Sequence, residues 1–280
     1  MNQPETSIWF VTGISGGLGK SLAETIMQHG DFVVGTFRNH EQVDAFNAQH
    51  DGRGLALLLD VTKPEQIQRA VQTVQDRFGR LDVLVNNAGY GFAGAVEEAT
   101  EADVRAVFEA NFFGMLAVTQ AFLPLFRQQR HGRIIQISSQ SGVKAVPGFG
   151  IYNASKFAVE GLSEALAAEI APLGIHLTLV EPGPFRTNFA GSSFGKAEQH
   201  IADYDGTAGA FRQRMEQANG KQEGDPDKAA DAIWALSRQD NPPLRLPLGK
   251  ISVTTIQAKI DSLQADLNAG KAIAEQAVFA

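Results

Sequence analysis

The sequence predicts a single α/β domain built on a doubly wound parallel sheet of seven strands with helices on both faces. Short apolar runs alternate along the chain with longer segments of helical periodicity, which is the order that parallel strands with crossover helices require. The runs are apolar on both faces, as strands buried between two helical layers must be. The 280 residues, 44% of them hydrophobic, suit one such domain.

The amino-terminal half of the chain supplies the first four strands. Each is a short apolar run bounded by turn residues, and they are predicted at residues 8–11, 32–37, 55–59 and 83–85. A helix follows the first strand, because Leu22, Ile26 and Met27 recur at helical spacing. Another helix is predicted over residues 64–78, where Pro64 suits a first helical turn.

The carboxyl-terminal half supplies three more strands and the longest helices. The strands are predicted from Ile134 to about Ser138 and over residues 175–180 and 244–249, the last at a sheet edge because it contains Pro247. The helices are predicted over residues 101–127, 152–171, 226–237 and 251–267. Asn111 falls inside the first of these, where asparagine is unfavourable, so we expect a special role or a local distortion there.

One domain therefore spans residues 1–280, with two segments set apart by their composition. Residues 188–222 combine mixed periodicity, small and polar residues and several aromatic ones, which favours a substrate lid; the alternative is a variable surface insertion. Residues 250–280 form a predicted helical tail at the carboxyl terminus.

Charge and composition exclude several classes of function. The formal net charge of −7 disfavours binding to nucleic acid or to an anionic membrane surface. No apolar run approaches the length of a membrane span, and the start of the chain lacks a basic signal-peptide region, so a cytoplasmic protein is expected. There are no cysteines, and the six histidines show no ligand spacing, so no metal site is predicted.

A glycine-rich turn joins the first strand to the first helix. Its sequence is Thr-Gly-Ile-Ser-Gly-Gly-Leu-Gly over residues 12–19. Glycines let the backbone approach a pyrophosphate closely, and the helix amino terminus attracts the anion. The spacing differs from the common G-x-G-x-x-G of dinucleotide-binding folds, but the position between a buried strand and a helix makes a merely flexible surface loop the weaker alternative.

The end of the second strand favours NADP(H) over NAD(H), which stays possible. An acidic residue there would hold the ribose 2′-hydroxyl of NAD, and none is present. Arg38 stands just past the strand, where a guanidinium can accept a 2′-phosphate. Gly16 fills the loop position where a second basic residue often assists, and Arg38 is alternatively an ordinary exposed arginine.

Other polar residues follow the remaining strands, at the edge where open α/β sheets bind ligands. Asp60 is expected to bond an adenine amino group or to cap the next helix. Asn86 and Asn87 contact the cofactor, tie neighbouring strands together, or do both. Two prolines around Gly183 direct the chain out of the sheet, which lets Thr187 reach a nicotinamide.

Tyr152 and Lys156 are the strongest candidates for chemistry. Because they are four residues apart on a helix, their side chains are neighbours on the same helix face. A lysine ammonium favours the phenolate and lowers the tyrosine pKa, and an oxidised nicotinamide ring would supply a second cation. Ser139, at the end of the adjoining strand, can bond the same substrate oxygen. Alone, a Tyr-x-x-x-Lys pattern is usually a chance solvated pair.

Taken together, these residues resemble the short-chain dehydrogenase/reductase family in its compact single-domain, Rossmann-like form. The motifs that carry the resemblance are Thr12-Gly13 with Gly17 and Gly19, the run 86–89, Asn111, Ser139, Tyr152 with Lys156, and Pro182-Gly183 with Thr187. The run from Tyr152 onward also looks like the hydroxysteroid and retinoid dehydrogenase branch.

The resemblance implies a role for each residue. Tyr152 would be the general acid or base, and Lys156 would lower its pKa and hold the nicotinamide ribose. Ser139, which lies thirteen residues before Tyr152, would orient the carbonyl, with Ser138 and Ser141 as alternatives. Asn111 would anchor a water that links Lys156 to solvent. The implied cofactor-binding residues are Gly13, Ile14, Ser15, Gly17, Leu18, Gly19, Arg38, Asp60, Val61, Asn87, Ala88, Gly89, Tyr152, Lys156, Pro182, Gly183 and Thr187.

These expectations combine into an NADP(H)-preferring oxidoreductase that interconverts a carbonyl and a secondary alcohol. Its substrate is expected to be a small, apolar molecule, given the aromatic residues of the predicted lid. The resemblance further implies a homodimer or homotetramer paired through helices 101–127 and 152–171. The alternative is a non-catalytic NADP-binding regulator on the same fold. Epimerase or dehydratase chemistry fits poorly, since such relatives are usually longer.

Overall fold

The computed structural model describes residues 6–191 and 194–279 of the chain. Residues 1–5 of the predicted domain, 192–193 of the predicted lid and residue 280 of the predicted tail lie outside this description. The strands are β1 Ile8–Val11, β2 Phe32–Phe37, β3 Gly54–Leu58, β4 Val83–Asn86, β5 Phe92–Ala93, β6 Gly132–Ile137, β7 Ile175–Pro182, β8 Gly195–Lys196 and β9 Arg245–Leu248.

The helices fill the intervals between the strands. They are α1 Gly17–Gln28, α2 His40–Gln49, α3 Pro64–Phe78, α4 Glu101–Phe108, α5 Met115–Gln129, α6 Gly150–Ile170, α7 Ala210–Ala218, α8 Pro226–Leu236 and α9 Lys250–Ala274. Helix α2 was not predicted; Asn39 begins it by accepting a hydrogen bond from the backbone of Glu41.

The main sheet confirms the predicted fold class. Its seven strands are all parallel, in the order β3-β2-β1-β4-β6-β7-β9. The chain winds outward from β1 to β3 and then returns to add β4 on the other side of β1. The carboxyl ends of β1 and β4 therefore border the crevice where such sheets bind ligands.

Two apolar cores cover the two faces of the sheet, because successive side chains of a strand point to opposite sides. Phe10 and Leu84 pack with Phe122 of α5 on one face. Trp9 and Val85 pack on the other face, against α1 and α8. This arrangement explains why the central strands are apolar throughout.

The predicted helix over residues 101–127 is interrupted, which corrects its continuity and confirms the expected distortion. Residues Glu109–Gly114 form a π-helical turn between α4 and α5, and Asn111 lies within it. Such turns occur frequently at functional sites. By length and composition alone the stretch Glu101–Gln129 could cross a membrane, which the sequence analysis did not anticipate. Here it forms α4, the π-helical turn and α5, with Phe122 and Phe126 buried in the core.

Candidate active site

The glycine-rich turn bends tightly at the amino terminus of α1. Gly13 and Gly17 have φ angles of +72° and +56°, a region that favours glycine. A Cβ atom at Gly19 would stand 2.3 Å from the carbonyl oxygen of Gly13, so only glycine fits there. No acidic side chain lies in the first turn of α1, and its amino-terminal cap, Gly16, supplies no side-chain hydrogen bond. The turn thus offers free backbone donors in a close-fitting cradle.

The loop after β4 is fastened to this turn. The side-chain amide of Asn87 donates to the carbonyl oxygens of Thr12 and Gly13, both at 2.9 Å. The Thr12 hydroxyl accepts from the backbone of Asn87 and Ala88. Asn86 donates to Thr119 Oγ1 at 2.9 Å. Both asparagines therefore tie neighbouring segments together, which was one of the two predicted roles.

The residues predicted to surround the adenosine half lie beside the turn with different local roles. Arg38 is exposed at the end of β2, as its predicted contact with a 2′-phosphate requires. The Asp60 carboxylate accepts from the backbone and hydroxyl of Thr62, so it caps the turn that leads into α3. Val61 is buried and packs against Gly114 of the π-helical turn. Of these residues, Arg38 is the exposed cation.

The segment after β7 closes over the glycine turn. The backbone of Gly183 donates to the carbonyl oxygen of Leu248 at 2.9 Å, which extends the pairing with β9 beyond Pro182. The Thr187 side chain lies 3.4 Å from the point where a Cβ of Gly17 would stand. Thr187 is therefore in contact range of the cradle; its predicted contact with a nicotinamide stays a prediction.

Tyr152, Lys156 and Ser139 come together at the same sheet edge. Lys156 Nζ lies 5.8 Å from the centre of the Tyr152 ring and donates to the carbonyl oxygen of Ile137 at 2.8 Å. The Ser139 side chain lies close enough to the Tyr152 phenol to lower its pKa. Neither Ser138, whose hydroxyl lies beside Glu160, nor Ser141 has such a contact with Tyr152 among the described residues. This placement favours Ser139 among the three predicted serines.

Burial changes the proton affinities of this group, and one expectation needs correction. Burial raises the pKa of Tyr152 above its ordinary value, while the contact with Ser139 acts in the opposite direction. The sequence analysis expected Lys156 to lower this pKa, but desolvation dominates in the protein alone. Burial also lowers the pKa of Lys156 to about 8, against the opposing charge of Glu160. The phenol is thus protonated at neutral pH, as a proton donor must be.

Asn111 clamps the loop that follows β4. Its Oδ1 accepts from the backbone N–H of Tyr90, and its Nδ2 donates to the Tyr90 carbonyl oxygen, both at 2.9 Å. The same Nδ2 donates to Ser155 Oγ at 3.2 Å. The π-helical turn aims the side chain toward both partners. Asn111 therefore holds Gly89 and Tyr90 beside α6; its predicted role in anchoring a water stays a prediction.

Aromatic rings cover Tyr152. Phe149 stacks on it with ring centres 4.2 Å apart, and Phe189 approaches edge-on at 5.8 Å. Phe194 and Phe211 then pack against Phe149. Three of these rings come from the predicted lid. They leave Tyr152 only 4% exposed, so a substrate must displace part of this cover to reach the phenol.

Two further residues fasten the cover, and the sequence analysis missed both. Glu98 is fully buried and accepts hydrogen bonds from the backbone of Ile201 and from the Arg212 guanidinium. Burial by itself raises the Glu98 pKa, but these donors outweigh it and hold the pKa below its ordinary value. The residues lie more than one hundred positions apart in the chain, so no local pattern could reveal the pair.

Replacing Arg212 with Met should loosen the lid without unfolding the domain. The variant leaves Glu98 buried without its cation, which costs about 3 kcal/mol or more. We expect hydrogen exchange at the Ile201 amide to become roughly 100-fold faster, measured by mass spectrometry on lid peptides. The matched control is Lys196→Met, which breaks the exposed pair with Glu216 and should leave the exchange unchanged. Equal exchange rates in the two variants would show that the pair of Glu98 and Arg212 does not hold the lid in place.

Comparison with known proteins identifies relatives over nearly the whole chain. A family model described as short chain dehydrogenase matches residues 7–198. A solved short-chain dehydrogenase from Streptomyces avermitilis is 40% identical, with a TM-score of 0.92 over 98% of this chain and 100% of that chain. Oxidoreductase BOA17 of Botryotinia fuckeliana is 40% identical over 249 residues, 89% of this chain and 90% of its own.

Two other similar proteins carry more informative names. The 3-ketodihydrosphingosine reductase of Bacteroides thetaiotaomicron is 38% identical over 255 residues, which are 89% of each chain. A short chain dehydrogenase from Burkholderia cenocepacia, solved in complex with NADP, is 25% identical with a TM-score of 0.74 over 95% of this chain and 98% of that chain.

Proposed function

The chain belongs to the short-chain dehydrogenase family of oxidoreductases, and we propose that it interconverts a carbonyl and a secondary alcohol with NADP(H) as the preferred cofactor. The observation that carries this proposal is the meeting of Tyr152, Lys156 and Ser139 beside the glycine turn. The NADP complex of the Burkholderia cenocepacia relative supports the choice of cofactor. So does Arg38, the exposed cation after β2.

The residues present fit a dinucleotide. The cradle at Gly13, Gly17 and Gly19 would receive the pyrophosphate at the amino terminus of α1. Arg38 would accept the 2′-phosphate, and Lys156 would hold the nicotinamide ribose. Ile14, Ser15, Leu18, Asp60, Val61, Asn87, Ala88, Gly89, Pro182, Gly183 and Thr187 would line the remainder. When bound, the cofactor supplies or accepts the hydride at the carbonyl carbon.

The protein's own groups handle the oxygen and the proton. In reduction, Tyr152 donates its phenol proton to the carbonyl oxygen as the carbon gains a hydride, and a secondary alcohol results. Ser139 donates a hydrogen bond to the same oxygen and orients it. The aromatic lid excludes water from this step. In oxidation the phenolate accepts the proton, and the charges of Lys156 and of an oxidised nicotinamide favour that form.

The substrate we propose is an apolar ketone or the corresponding secondary alcohol. The rings of Phe149, Phe189, Phe194 and Phe211 line the approach to Tyr152. Contact between these rings and apolar substrate groups is favourable because it removes apolar surface from water. The rings carry no charge that could bind a charged substrate group. The alternative, a non-catalytic NADP-binding regulator, is disfavoured because Tyr152 and Lys156 are both present and adjacent.

The test of the function is the decrease in NADPH absorbance with a panel of ketones and aldehydes of increasing apolar size. We expect turnover that improves with apolar bulk. NADPH binding without turnover of any carbonyl would support the regulator instead.

Helices α4 to α6 are expected to pair across a two-fold axis in a dimer or tetramer, since Phe113 and Phe157 are exposed on them.

Replacing Arg38 with Asp should shift the cofactor preference from NADP(H) to NAD(H). The carboxylate repels a 2′-phosphate and can accept a hydrogen bond from a 2′-hydroxyl. We expect the ratio of kcat/KM values for NADPH and NADH to fall by roughly 100-fold or more, for a loss of about 3 kcal/mol in charge-assisted bonding. Exposed Arg53, replaced by Asp, is the matched control. Equal use of both cofactors by the wild-type protein would contradict the assignment.

A further inference from the structure

Two carboxylates that the proposed reaction does not use are buried directly behind Lys156. Glu160 lies one helical turn after Lys156 on the same face of α6. Glu181 lies near the carboxyl end of β7 and is fully buried. Buried carboxylates are rare unless something compensates their charge. Their position behind the candidate catalytic pair therefore calls for a physical reason.

The guanidinium of Arg245 pairs with both Glu160 and Glu181. Arg245 Nε lies 3.3 Å from Glu160 Oε2 and 3.4 Å from Glu181 Oε1, and its Nη2 pairs with the exposed Glu164 at 2.6 Å. Among the described residues, neither buried carboxylate accepts a well-aligned hydrogen bond. One positive charge is thus divided among three carboxylates. Arg245 therefore compensates the three carboxylates only in part, and burial raises the pKa of Glu160 as it does that of Glu181.

Lys156 is the second cation close to Glu160. The groups around Glu160 are Lys156 and Glu164 on α6, Ser138 after β6, Glu181 on β7 and Arg245 on β9. Tyr152 lies on the other side of Lys156. Burial raises the pKa of Glu181 to about 7, helped by the neighbouring charge of Glu160. Burial alone lowers the pKa of Lys156, and Glu160 is the charge that opposes this loss.

We propose that Glu160 is a positioning residue whose buried carboxylate, shared with Glu181 through Arg245, keeps Lys156 protonated during the reaction. Lys156 would then lie between an anion behind it and the phenol in front of it. Without Glu160, the buried ammonium would lose its proton at lower pH, and its hold on the ribose and its effect on Tyr152 would end there. This inference rests on the proposed function. It adds Glu160 as the group that sets the highest pH at which the enzyme stays active.

The test compares the pH profiles of kcat/KM for NADPH-dependent reduction in wild type, Glu160→Gln and Glu164→Gln. The first substitution should move the alkaline limb to lower pH by roughly one unit, since an opposite charge at this range shifts a pKa by about 1–3 units. The second removes an exposed partner of the same Arg245, and its limb should stay in place. An unshifted limb in Glu160→Gln, or an equal shift in both variants, would overturn the proposal.

A second readout separates this proposal from the proposed function. If the wild-type protein binds NADPH but reduces no carbonyl, the proposed function is wrong. The role of Glu160 is then tested by the pH dependence of NADPH affinity, measured by cofactor fluorescence. The alkaline loss of affinity should move to lower pH in Glu160→Gln, as expected for kcat/KM. If Glu160→Gln does not fold, the double variant Glu160→Gln/Lys156→Met decides it. Recovery of cooperative thermal unfolding in the double variant supports the coupling; a double variant that is no more stable than Glu160→Gln refutes it.

Discussion

Replacing Tyr152 with Phe will remove turnover and leave NADPH binding close to that of the wild type. The substitution deletes the phenol proton that the carbonyl oxygen must receive, and general acid catalysis of this kind contributes roughly 10²–10⁴-fold to a rate. The ring itself stays, so the stacking with Phe149 and the buried volume are preserved. The expected result is a fall of that size in kcat with an unchanged NADPH dissociation constant.

Tyr204→Phe is the matched control for that experiment. It deletes the same atom from a tyrosine whose hydroxyl donates to Glu97 on the outside of the lid. Turnover should persist in this variant. Stopped-flow absorbance and NADPH fluorescence titration measure the two quantities separately. If Tyr152→Phe turned over at a rate near that of the wild type, Tyr152 would not be the proton donor.

Replacing Lys156 with Met will weaken NADPH binding, reduce turnover by roughly 100-fold or more, and change how stability depends on pH. The change removes the buried ammonium that we place at the ribose. It also leaves Glu160 without the cation in front of it. Methionine keeps most of the side-chain volume, so the packing should survive. Loss of binding here, against retained binding in Tyr152→Phe, distinguishes the two roles.

The effect on stability has a definite sign. Burial lowers the pKa of Lys156 to about 8, from an ordinary value of 10.5, so between these values the unfolded chain binds more protons than the folded one. The contribution of Lys156 to the free energy of unfolding should therefore rise with pH across this window, by an amount on the order of 3 kcal/mol. Lys156→Met lacks this gain.

Urea denaturation at pH 7.5 and pH 10 measures the difference. Other titrating groups, such as Tyr152 and Glu181, are present in both proteins, so their contributions cancel in the comparison. The wild type should gain stability relative to Lys156→Met as the pH rises. Parallel pH dependences in the two proteins would show that Lys156 is charged to the same extent in the folded and unfolded chains.

Much of the fold and of the catalytic group could be predicted because both are local in sequence. Apolar runs such as 8–11 form strands wherever two helical layers can cover them. Tyr152 and Lys156 share a helix face by the pitch of the helix alone. Helix α2 was missed because none of its residues is buried, so it carries no clear apolar stripe.

The remaining features depend on residues that meet only after folding. The bond between Glu98 and Arg212, and the clamp from Asn111 to Tyr90, join parts of the chain with no shared pattern. The pKa of Tyr152 moved in the opposite direction from the expected one. Sequence spacing shows that a lysine is near, but it does not show that the folded chain buries Tyr152 away from water.

The sequence by itself determined which edge of the sheet the candidate residues occupy, because helical and strand periods are local properties of the backbone. Only the tertiary structure decided their charges. Desolvation depends on every atom packed around a group, so burial beneath Phe149 and Phe189 raises the pKa of Tyr152, while burial lowers that of Lys156 against the opposing charge of Glu160.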